Sequence, residues 1–159
     1  MNKIFFFTIL FFISLNSFSF NEKNFPAIKF SNFLASEKLK DCKDVKSDRN
    51  ISIDARMPGF SAHLVYTGKV RSISKKRLQL LKHFSTMINR KMHEDYKREI
   101  QVSESGMNYW LPIQEVTFDS FKKVAKASDE IEVFNRKLGC IFEENQPSII
   151  SIIISVRTK

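Results

Sequence analysis

Apolar residues recur along this chain at three spacings, and each spacing predicts a different element. Between Lys75 and Tyr96, the residues Leu81, Phe84, Ile88 and Met92 fall three and four positions apart. Such a stripe buries one side of an amphipathic helix. It predicts one long helix over Lys75–Tyr96, with Leu78 and Met87 at the edges of the stripe and Ser74 as N-cap. Phe118, Phe121, Val124 and Ala125 share a face in the same way and predict a shorter helix over Thr117–Ala127. Elsewhere the period drops to two, the signature of a strand. Ile51–Asp54 alternates before the Pro58-Gly59 turn dipeptide. Ala62–Ser74 is a longer strand whose phase slips at Gly68, as at a bulge or sharp bend. Ile100–Val102 and Asn108–Gln114 read as strands joined across Ser103–Gly106, with Pro112 marking the second as an edge or bulged strand. Glu130–Phe142 alternates at Ile131 and Val133, then fits either a hairpin turning at Asn135–Lys137 or one long bulged strand. The third spacing is no spacing. Ser148–Val156 is a near-continuous β-branched run, expected as a strand buried on both faces.

A second unbroken apolar run lies at the start of the chain. Ile4–Leu15 is interrupted only by Thr8 and Ser14, follows Lys3, and leads into small residues at Ser17 and Ser19. That is the layout of a secretory signal peptide cut after Ser19. The run is shorter than the roughly 20 residues of a membrane span, and no cysteine stands at the cut to take a lipid anchor. The expectation is an exported protein, periplasmic or secreted, with no transmembrane segment after cleavage. Its parts are a signal peptide (1–19), an N-terminal extension (20–50) and a single α+β domain (51–159). In the extension, Ser31 is expected to cap a short helix from Asn32 to about Leu39, with Phe30, Phe33 and Leu34 to one side. A charged connection follows to Asn50. Asn50-Ile51-Ser52 matches the glycosylation acceptor pattern, which is short enough to recur by chance.

Export gives the two cysteines a meaning. In an oxidising compartment Cys42 and Cys140 have one intramolecular pairing open to them. A disulfide there tethers the extension to the far end of the domain. The alternative, a catalytic thiol, needs a neighbouring histidine and an activated thiolate. Neither Asp41-Cys42-Lys43 nor Gly139-Cys140-Ile141 offers a recognisable nucleophile context.

Charge narrows the partners. The chain carries 26 Lys+Arg against 17 Asp+Glu, a net +9. An exported basic protein favours an acidic protein, an anionic polymer or an anionic lipid surface; the plain alternative is that the charge serves solubility. At ideal helical spacing Lys82, Arg90, His93 and Lys97 fall within about 80° of arc opposite the apolar stripe. They are the candidate binding face, suited to phosphates or an anionic membrane, against the alternative of a solvated face. Motif chemistry is sparse. His63, His83 and His93 lack metal-ligand spacing, and His63 reads as a satisfied strand histidine, so no metal site is expected. Glu94-Asp95, Asp129-Glu130 and Glu143-Glu144 are sequence neighbours whose side chains diverge on regular elements. No nucleophile elbow, phosphate loop or dinucleotide fingerprint occurs, so neither a catalytic residue nor a cofactor is assigned. Trp110 beside Pro112 suits either a peptide or sugar platform or a plug at the end of the core.

The order YWLPIQ strand, FDSFKKVAKA helix, EIEVFNRKLGCI strand and SIISIIISV strand resembles the second half of an oligonucleotide/oligosaccharide-binding (OB) barrel, with Val65–Ser74 as its long bent first strand. The helix Lys75–Tyr96 departs from that pattern, and no residue role is carried over. The fold expected is α+β: a mostly antiparallel sheet, closed in part like an OB barrel, packed against one long amphipathic helix. The function expected is a non-enzymatic binding module for an acidic partner. The alternative is a small envelope-acting hydrolase with a site assembled from scattered residues.

Overall fold

The computed structural model describes residues 21–47 and 50–158. The expected signal peptide and its cleavage site lie outside the described residues. The chain runs through α1 (Phe30–Asp41), β1 (Ser52–Ile53), β2 (Gly59–Ser72), α2 (Lys75–Met87), α3 (Met92–Asp95), β3 (Arg98–Glu104), β4 (Met107–Ile113), α4 (Glu115–Phe121), β5 (Glu130–Glu143) and β6 (Gln146–Thr158). No helix of the described residues is long and apolar enough to cross a membrane.

The strands form one six-stranded sheet in the order β1-β5-β2-β3-β4-β6, and β5 also pairs with β6. Five strands therefore close a ring, β5-β2-β3-β4-β6. All its pairings are antiparallel except β4–β6, which meet in parallel at Ile113 and Ile153. Pro112 sits on β4, paired with Glu99 on its β3 side. With only that one parallel pair on its other side, β4 is close to the edge strand that the proline predicts. Period-two alternation fills the ring: Phe60, Ala62, Leu64 and Tyr66 of β2 meet Ile100 and Val102 of β3, Leu111 and Ile113 of β4, and Ile131 and Val133 of β5 in one buried cluster. Phe118 and Phe121 of α4 and Phe30 of α1 complete it. Outside the ring, Leu80, Leu81 and Phe84 of α2 pack with Tyr96, Leu138, Ile141, Ile150 and Ile152 in a second cluster.

Two bends were legible as phase slips. The β2–β3 register shifts between Tyr66 and Val70, around Gly68 at φ 84°, a value L-residues rarely adopt. β5 is one long strand with shifts at Phe134/Asn135 and Lys137/Gly139, so the hairpin alternative at Asn135–Lys137 does not form. At Gly139 a Cβ would stand 1.9 Å from the Ser52 carbonyl oxygen, so glycine is what lets β1 approach.

Three expectations need correction. The single long helix is broken: α2 ends at Met87, Asn89 takes the left-handed conformation at φ 52°, and α3 resumes only at Met92. Asparagine tolerates that conformation because its side chain is short and polar. The second helix stops at Phe121, which leaves Val124 62% exposed rather than on a shared apolar face. Ser31 lies inside α1 and is not its cap. Lys29 at the N-cap makes no side-chain bond there. Instead Glu104, at the end of β3, accepts from the Phe30 and Ser31 backbone N–H groups at 2.9 and 2.7 Å. A carboxylate at a helix N-terminus meets both its free donors and its dipole. Burial alone would raise the Glu104 pKa, but these bonds outweigh it and hold it below the ordinary value.

Candidate functional site

Cys42 and Cys140 are joined in a disulfide with a Cα–Cα distance of 5.6 Å, within the ordinary range, and both are buried. The bridge spans 98 residues and fixes the end of α1 to β5. It is a structural tie: no cysteine of the chain is free.

Most carboxylates that converge do so on a buried cation. Lys137, 1% exposed, donates to Glu37 and Asp41 of α1 and forms an ion pair with Asp54 at 2.9 Å. Burial disfavours the ammonium charge, but the three carboxylates outweigh it and raise the Lys137 pKa. Asp54 is held far below the carboxylate range, first by Arg56 and then, against burial, by Lys137. For Glu37, burial is overcome by bonds from Lys137 and Lys40, and its pKa is also lowered. The second hub is Arg77 on α2. It donates to Glu143 at 2.6 and 3.0 Å, to Glu99 at 2.7 Å, and to the Trp110 carbonyl. Glu99 is fully buried and also accepts from Arg71 at 2.6 Å. The Arg71 guanidinium lies 4.2 Å from the Trp110 ring centroid. That face of the only tryptophan is thus covered by Arg71, and the indole is half-buried rather than an open platform. Carboxylates pinned in this way serve as counter-ions.

The helix break opens a different kind of place. A cleft of about 830 Å³ lies between the α2–α3 connection, the segment at Asn21–Phe25, and the β5–β6 pair. Its apolar wall is Phe25, Met57, Ile88, Met92, Ile152 and Ile154. Its charged lining is Arg90, Lys91, Glu94, Asp95 and Arg136. Lys91 pairs with Glu94 at 3.3 Å. Arg136 is half-buried; its Nη1 donates to the Met57 carbonyl at 2.9 Å and its guanidinium lies 5.2 Å from the Phe25 centroid. No carboxylate pairs with it among the described residues. Tyr96, 3% exposed, also lines the cleft, and its hydroxyl has no hydrogen-bond partner among the described residues. Burial pushes its phenol above the ordinary range; Asp95 adds to this and Arg136 opposes it.

The four residues of the expected basic face are distributed by the break. Lys82 is exposed on α2, Arg90 lines the cleft, His93 lies on α3, and Lys97 is exposed between α3 and β3. His93 is half-buried. Its Nδ1 is 3.0 Å from Ser85 Oγ, which also accepts from the His93 backbone N–H, so this histidine ties α3 to α2. The one-helix phase argument that grouped the four therefore does not describe their placement. Sequence reasoning missed Arg136 and Tyr96. Arg136 sits where the sequence fits either a turn or a strand, and Tyr96 falls at the last residue of the helix that the apolar stripe predicts. His63 is exposed on β2 rather than a satisfied strand histidine. Among the described residues no group of three His, Cys, Asp or Glu side chains is placed to hold a metal ion.

No known protein family, curated protein or solved structure matches the chain.

Proposed function

We propose that this chain is an exported, non-enzymatic binding module that meets an acidic partner through the cations around the α2–α3 break. We further propose that its ring of strands is a partly closed barrel of the OB kind. The strand order, with α4 between β4 and β5, supports that likeness, while α2 and α3 between β2 and β3 depart from it. The observation that carries the binding reading is a contrast in pairing. The two buried hub cations, Arg77 and Lys137, each have carboxylate partners, whereas Lys82 and Lys97 are exposed with none among the described residues. Exposed cations without internal partners attract an anionic surface at a range set by salt, about 8–10 Å. The test reverses Lys82, Arg90 and Lys97 to Glu and measures retention on heparin and on anionic vesicles. Retention should fall steeply for the variant, and for the native protein between low and physiological salt. Unchanged retention with an intact fold would mean a merely solvated face.

A further inference from the structure

We infer that the cleft at the α2–α3 break binds a small anionic amphiphile: an acyl or aryl body carrying one carboxylate or phosphate head. This rests on the binding-module reading of the same region and names a ligand class for it. Two independent observations meet in the cleft. Arg136 is half-buried in its wall, holds one backbone carbonyl, and has no carboxylate partner among the described residues. A planar guanidinium with donors to spare suits the bidentate recognition of a carboxylate or phosphate. Tyr96 is the second observation. It is a nearly buried phenol lining the same cleft, and its hydroxyl has no partner in the described protein. A phenol O–H supplies a donor to an anionic head that Arg136 already attracts.

The rest of the cleft selects against a bare ion. Ile88, Met92, Ile152 and Ile154 line it with aliphatic and thioether surface. Its volume of about 830 Å³ falls in the range of about 300–1,000 Å³ typical of small-molecule sites. The carboxylates at the mouth bear on the charge of the ligand. Glu94 is paired with Lys91, and Asp95 beside Tyr96 repels a second negative charge, which favours a compact, singly charged head inside the cleft.

Titration calorimetry of the folded protein tests this, with decanoate, decyl phosphate and decanol as probes below their aggregation concentrations. Saturable one-to-one binding of decanoate or decyl phosphate is expected, with decanol weaker by roughly tenfold or more, the scale of one lost charge-assisted bond. The better of the two acids identifies the head. Arg136→Gln should weaken that acid by roughly tenfold or more, and Tyr96→Phe, which keeps the ring and its packing, by about threefold or more. Retention of the native protein on heparin is measured in parallel, so a failure of this inference and a failure of the surface reading are distinguishable. The inference is overturned if neither acid saturates, if decanol binds as tightly as the acids, or if the Arg136→Gln and Tyr96→Phe proteins, folded by circular dichroism, both keep native affinity.

Discussion

Arg77 on α2 and Arg136 on β5 are both cations, and the partners around them differ sharply. Arg77 is about one-tenth exposed and is surrounded by acceptors: Glu99, Glu143 and the Trp110 carbonyl. Burial works against its charge, but the bonds and fields of Glu143 and Glu99 more than offset it and raise its pKa. Arg136 lies at a cleft, satisfied by one backbone carbonyl and the face of Phe25. A buried charge without counter-ions costs several kcal/mol, so the fold completes the shell of Arg77. A charge that keeps contact with water carries no such penalty, and its spare donors remain for a ligand. The comparison separates charges that hold this protein together from charges it has left to use.

The most severe way to break the Arg77 side is Arg77→Met. It strands Glu143, leaves Glu99 with Arg71 alone, and should destabilise by about 3–5 kcal/mol, read from urea midpoints. Adding Glu99→Gln and Glu143→Gln should recover part of that loss; a triple variant as unstable as the single would show that packing, not charge, sets the cost. Next is the disulfide. Replacing both Cys42 and Cys140 by Ala should cost about 2–5 kcal/mol, and limited proteolysis should cut first around α1.

Acid probes the Lys137 hub. Glu37 and Asp54 have folded pKa values below their ordinary ones, so the unfolded chain binds protons more tightly than the native state does. Their contribution is complete above the unfolded carboxylate pKa, about 4, and is lost as pH falls below it. The melting temperature should hold from pH 7 to about 5 and then drop, and Lys137→Met should flatten that drop. A melting temperature independent of pH down to 3 would contradict the hub. Smaller again, Glu104→Ala removes the distant cap of α1 and should cost about 0.5–2 kcal/mol. Smallest, and the sharpest contrast with Arg77, Arg136→Gln should shift stability by under about 1 kcal/mol. A loss matching that of Arg77→Met would place Arg136 among the structural charges.

Local pattern was enough for the elements that rest on local physics. The β2 bend at Gly68, α2 with its Ser74 cap and the buried strand β6 follow from residue type and spacing, while the Cys42–Cys140 pairing followed from there being two cysteines in a chain expected to be exported. What the sequence left open, or placed wrongly, depended on partners distant along the chain. The Asn89 break was written in the residue type, but the apolar stripe continued through Ile88 and Met92 and masked it, because both still pack on the outer cluster. The α1 cap comes from Glu104 on another element, which a reading of Ser31 could not reveal. The grouping of carboxylates on Lys137 and Arg77, and the cleft that leaves Arg136 and Tyr96 facing shared space, exist only once the ring has closed. Periodicity records which side of an element avoids water. Which charges meet, and which are left unmet, is decided by contacts between elements, and those belong to the tertiary structure alone.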